Sequence, residues 1–78
     1  MNYIKHQQYQ NKNKKVTIGI LSFNSKDTIL RAIKGAVEQS WKDKEIIVID
    51  DNSKDNTYEN IEESEYKNQI LLFKNDKN

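Results

Sequence analysis

Glu45-Ile46-Ile47-Val48-Ile49-Asp50, running into Asp51-Asn52-Ser53, is the stretch that decides the fold of this chain. Its four central residues are β-branched and apolar with no polar alternation. Both faces of the strand they form are therefore apolar, as in a parallel sheet packed by helices. Upstream, Val16-Thr17-Ile18-Gly19-Ile20-Leu21-Ser22 has the same character and ends at a turn, Phe23-Asn24-Ser25. Downstream, Gln69-Ile70-Leu71-Leu72-Phe73-Lys74 makes a third run of this kind.

Between these runs the periodicity changes. Within residues 26–40, Ile29, Leu30, Ile33, Ala36 and Val37 fall on the stripe of an amphipathic helix. Ser25 stands where an N-cap belongs, and Asp27 in the first turn suits the macrodipole. Gly35 inside the helix costs about 1 kcal/mol against alanine, which points to a close packing contact. A second helix is expected from Asp55 or Asn56 through Ile61 toward Tyr66, with Asn56 and Glu59 spaced as a capping box. Trp41 reads as packing at the exit of the earlier helix. Glu59, Glu62, Glu63 and Glu65 read as a solvated helix face.

The order β-α-β-α-β predicts an α/β fold with a three-stranded parallel sheet in order 3-2-1. Two right-handed crossovers stepping in one direction place both helices on the same face. Nothing in these residues covers the other face, so the expectation is an incomplete half of a larger, Rossmann-like α/β domain.

Composition agrees with one small unit. The chain has 78 residues, of which 35% are hydrophobic and 32% charged, and a chain this short buries only about 60–65% of its unfolded surface. The charge is uneven. Residues 1–15 carry Lys5, Lys12, Lys14 and Lys15 without an acid, and the remainder is mildly acidic. Residues 1–14 therefore read as a basic polar tail without stable structure, and residues 15–78 as the domain. The tail could touch an anionic lipid surface; no nucleic-acid partner is expected. There is no cysteine and only His6, which removes thiolate zinc sites, cysteine nucleophiles and histidine metal clusters. No apolar run approaches the roughly 20 residues of a membrane span, and no signal-peptide core is present, so a cytoplasmic location is expected.

Open α/β sheets bind ligands beyond the carboxyl ends of their strands. There the sequence places Leu21, Ser22, Phe23 and Asn24 after one strand and Asp50, Asp51, Asn52 and Ser53 after the next. A carboxylate at a strand exit is an acceptor-only group suited to a ribose hydroxyl or a base N–H. Phe23 offers a flat apolar face to a base. These features suggest a nucleoside pocket. Read singly, Phe23 is as consistent with loop packing, and Asp50-Asp51 with turn chemistry; their co-location favours a site. No G-x-G-x-x-G fingerprint or P-loop is present.

The set formed by Ile20-Leu21-Ser22-Phe23-Asn24, Val37-Glu38-Gln39-Ser40-Trp41 and Ile47-Val48-Ile49-Asp50-Asp51-Asn52-Ser53 resembles the opening of family 2 glycosyltransferases of the GT-A fold. The resemblance covers about residues 15–75. It implies a nucleotide-sugar donor, often a UDP-sugar, and a carbohydrate or lipid-linked acceptor, with inversion at the transferred sugar. Carried onto this chain, it implies that Phe23 lies against the base and Asp51 hydrogen-bonds it. Leu21 and Ser22 contribute mostly backbone contacts, and Asp50 supports the turn. It also implies Mg²⁺ or Mn²⁺ on a D-x-D-type motif and a later carboxylate base, neither of which this sequence contains. A base-binding half-site lacks both the cation for the leaving group and the positioned base, so residues 1–78 alone are expected to be inactive. The alternatives are a non-catalytic binding remnant of the same fold and a response-regulator receiver-like segment. The latter leaves residues 16–41 unexplained.

Overall fold

The computed structural model describes residues 2–8, 15–41 and 43–76, with side chains from residue 15 onward. Its elements are β1 (Asn2–Gln8), β2 (Val16–Ser22), α1 (Ile29–Val37), β3 (Lys44–Asp50), α2 (Thr57–Glu62), a 3₁₀ turn (Lys67–Gln69) and β4 (Leu71–Lys74). They form one sheet in the order β1-β2-β3-β4. The three apolar runs pair in parallel, Val16 beside Lys44 through Ser22 beside Asp50, then Ile47 beside Leu71 through Asp50 beside Lys74. The expected parallel α/β sheet is present, in the expected order.

The tail departs from expectation. Asn2–Gln8 is a strand running antiparallel along β2, with Asn2 opposite Ser22 and Gln8 opposite Val16. Low apolar content argued against order there. The outer edge of β2, however, offers a row of N–H and C=O groups that any extended backbone can satisfy. Residues 1 and 9–14, including Lys12 and Lys14, lie outside the described residues.

Alternation sorts the side chains. Val16, Ile18 and Ile20 on β2 and Ile46 and Val48 on β3 pack with Ile29, Ile33 and Ala36 of α1 and Ile61 of α2, all nearly or fully buried. Full burial of a side chain of this size contributes about 1.5–3 kcal/mol. Both helices serve this one face. On the opposite face Leu21 and Ile47 are half-buried, and Ile49, Leu71 and Phe73 are 40%, 47% and 53% exposed.

Helix α1 is shorter than its stripe suggested, because residues 26–28 form a turn ahead of it. Ser25 does not cap it through its side chain. The Ser25 Oγ donates to the Phe23 carbonyl (2.9 Å), while the Ser25 carbonyl accepts from the N–H groups of Thr28 (3.0 Å) and Ile29 (2.8 Å). The N-cap position falls on Thr28, and Asp27 is outside the first turn. At the other end the Lys44 ammonium donates to the carbonyls of Val37 and Gln39, satisfying acceptors that a helix terminus leaves open. Trp41, expected to pack there, is 40% exposed. The capping box of α2 does not form. Asn56 adopts a left-handed conformation (φ 68°) and makes no side-chain cap bond.

Gly35 has no close contact, since a Cβ built on it meets no atom within 4 Å. Gly35→Ala should therefore stabilise the chain by about 1 kcal/mol. A rise in the urea midpoint with an unchanged slope is the expected reading, and an unchanged or lowered midpoint would show that the glycine is needed after all.

Candidate functional site

Three strand exits converge at the carboxyl edge of the sheet. Two of the turns that leave it are sharp, with Asn24 (φ 47°) after β2 and Asn52 (φ 56°) after β3 in left-handed backbone. Asparagine tolerates this region where most residues pay roughly 1–2 kcal/mol.

The turns are bound to one another through a single carboxylate. Asp50 is fully buried. Its Oδ1 accepts from Ser22 Oγ (3.2 Å) and Ser53 Oγ (2.5 Å), and its Oδ2 from the Ser53 N–H (2.9 Å). The Asn24 N–H donates to Ser53 Oγ (2.8 Å), and the Lys54 N–H returns to Asn24 Oδ1 (2.8 Å). Further out, the Lys26 N–H donates to Asp55 Oδ2 (3.1 Å) and the Ser25 N–H to Thr57 Oγ1 (2.9 Å). The Thr57 hydroxyl and N–H both donate to Asp55 Oδ1. That hydroxyl is the largest influence holding the Asp55 carboxyl below its ordinary value, aided by the N–H groups of Lys26 and Thr57 against a smaller opposing effect of burial. Both turns are thus preorganised by bonds between them.

The residues singled out in the sequence divide into two groups. The side chains of Ser22 and Asp50 are fully buried and hydrogen-bonded to each other, so they build the framework. Leu21 is half-buried on the open face, Phe23 and Asp51 are half-buried, and Asn24 is exposed. Asp51 continues the sheet with its N–H donated to the Ser22 carbonyl (2.8 Å) and receives the Asn75 side-chain amide on Oδ1 (2.9 Å). Ser53, Thr57 and Asn75 complete the arrangement without having been assigned roles. The signal for Asn75 was available, since it follows a strand at the same sheet edge.

The Mg²⁺ or Mn²⁺ implied by the sequence resemblance finds no donor set here. Both Asp50 oxygens already accept hydrogen bonds within the buried framework, and among the described residues no group of three or more His, Cys, Asp or Glu side chains could hold a metal ion. A cavity of about 280 Å³ lies at the opposite edge, between Lys15, Lys44, Glu45 and Ile70. That is the amino end of β3, away from the strand exits where such sheets take ligands. Among the described residues no helix is long and apolar enough to cross a membrane.

With this geometry in place, residues 17–78 match the family model described as glycosyl transferase family 2. The chain belongs to glycosyl transferase family 2. This family 2 chain is 47% identical over 60 residues to the cholesterol galactosyltransferase of Borreliella burgdorferi, an alignment spanning 77% of the chain and 16% of the relative. It is 38% identical over 60 residues to an Escherichia coli enzyme named UDP-Glc:alpha-D-GlcNAc-diphosphoundecaprenol beta-1,3-glucosyltransferase, spanning 77% of the chain and 24% of that relative. No solved structure matches it. The family 2 chain therefore spans less than a quarter of the length of either relative. The match from residue 17 leaves no place for the receiver-like reading.

Proposed function

We propose that this chain is the nucleotide-binding part of a glycosyltransferase that takes sugar from a UDP-sugar and passes it to a lipid-linked or carbohydrate hydroxyl acceptor. Membership of the family carries the transfer chemistry. One relative is named for a UDP-Glc donor and a diphosphoundecaprenol-linked acceptor, and the other for cholesterol. Both names support a lipid-borne hydroxyl as the acceptor and the first supports uridine in the donor. We place the activity at the cytoplasmic side of the cell, where nucleotide-sugars are made.

The observation that carries this reading is the division of labour between two adjacent carboxylates. Asp50 is consumed inside the framework, whereas Asp51 sits half-buried at the rim beside the exit of β4. A rim carboxylate suits the imide N–H of a uracil ring, and Phe23 supplies apolar surface for the base. The divalent cation and the acceptor-activating base belong, in this proposal, to parts of the enzyme outside residues 15–76.

Calorimetric titration of the chain with UDP tests it. Binding by the wild type and a loss of at least about tenfold in Asp51→Ala, roughly the worth of a hydrogen bond to a charged group, are expected. A wild-type chain that ignores UDP, or an Asp51→Ala variant that binds it equally well, would overturn the assignment.

A further inference from the structure

The exit of β4 supplies a residue that neither the family match nor the relatives assign. Asn75 is held at the sheet edge by its backbone, whose N–H donates to the Asp50 carbonyl (2.8 Å) and so extends the β3–β4 ladder by one step. The preceding residue, Lys74, pairs with Asp50 in register and places its ammonium 5.3 Å from the centre of the Tyr58 ring on α2, a cation–π contact that ties the strand end to the helix. From that fixed base the Asn75 side chain reaches back and donates its Nδ2 amide to Asp51 Oδ1 (2.9 Å).

We infer that Asn75 is a specificity-determining positioning residue: by occupying Asp51 Oδ1 it fixes the rotation of the carboxylate and thereby selects which base edge the pocket accepts. The inference rests on the nucleotide-binding reading given above. A carboxylate has two oxygens and about four lone-pair directions. Without the bond from Asn75 the group has more freedom to turn between the N3–H of uracil and the 4-amino group of cytosine. With one oxygen pinned by an amide, the remaining directions are set, and a donor displaced by one ring position no longer meets them. Discrimination then comes from geometry, as it does wherever a site built to hydrogen-bond one donor rejects an analogue that lacks it. Asn75 is exposed, and its backbone bond to Asp50 survives any non-proline replacement of the side chain, so this role is separable from folding.

The test compares UDP and CDP affinities by titration in the wild type, Asn75→Ala, Asn75→Asp and Asn75→Gln, with thermal midpoints measured alongside. The wild type should prefer UDP. Asn75→Ala should weaken UDP about fivefold to tenfold and bring the UDP-to-CDP ratio toward one, with the midpoint unchanged. Asn75→Asp, the same size but acceptor-only and charged like its neighbour, should weaken UDP further. Asn75→Gln, which keeps the amide, should recover part of the preference. If the wild type binds UDP but Asn75→Ala keeps both its affinity and its ratio, the inference fails while the nucleotide reading stands. Loss of affinity with the ratio intact and a lowered midpoint likewise reduces Asn75 to a structural residue. A wild type that binds neither nucleotide removes the nucleotide reading and the inference together.

Discussion

Asp50→Ala is expected to cost about 3 kcal/mol, a large share of the roughly 4–12 kcal/mol that a chain of this length commands. The carboxylate is fully buried, and three donors converge on it: the hydroxyls of Ser22 and Ser53 and the Ser53 N–H. Truncation strands all three. Each unsatisfied group costs about 1–3 kcal/mol, and because they share one acceptor and can partly re-pair, the costs do not add. The damage also spreads, since Ser53 Oγ is the acceptor for the Asn24 N–H, so both turns of the site loosen at once. Asp50→Asn keeps the shape but turns an amide donor toward one of the existing donors, and should recover only part of the loss. Asp51→Ala, at the rim, should leave the midpoint close to that of the wild type, because the bond it accepts from the Asn75 amide lies at the exposed edge of the sheet. Chemical denaturation of the three variants separates the roles. Equal midpoints for Asp50→Ala and the wild type would mean that the buried carboxylate does not hold the turns.

That contrast between neighbouring aspartates was partly readable without a structure. Along β3 the buried positions are Ile46, Val48 and Asp50, and continuing the same alternation along β2 from Val16 reaches Ser22. Strand parity alone therefore turned the Ser22 and Asp50 side chains toward the helices and left Asp51 beyond the last paired position. The parallel core was legible because β-branched apolar runs have few other ways to be buried, and the α1 stripe because its apolar positions recur at helical spacing. What escaped was set by backbone or by distant loops. β1 is recruited by an open edge of β2 rather than by its own side chains. The start of α1 is displaced because the Ser25 N–H is held across the site by Thr57 Oγ1, a partner 32 residues away. Gly35, expected to mark a close contact, faces open space. The place of Asn75 at the exit of the third apolar run was legible, but its partner was not, because the bond goes to Asp51 on another loop.

The largest contrast should come from placing the same charge at adjacent positions of β3. Val48 is fully buried beneath the helices, among Ile18, Ile20, Ile33 and Ile61 in the same core, whereas Ile49 is 40% exposed on the opposite face. Val48→Asp would bury a carboxylate with no cation or designed donors. The cost is several kcal/mol for desolvation plus the lost apolar burial, enough to consume the stability of a chain this small. It should be unfolded by circular dichroism and lack protected amides in hydrogen exchange. Ile49→Asp leaves its carboxylate in contact with water, and its cost is limited to partial loss of apolar burial and poorer strand propensity, about 1–2 kcal/mol. That variant should stay folded. Comparable damage at both positions would mean that the sheet is covered on both sides in solution. Comparable tolerance would mean that the helices do not pack where Val16, Ile18 and Ile20 place them. Because the two residues share a strand, a chemistry and a backbone environment, only the side of the sheet each one occupies can separate the outcomes.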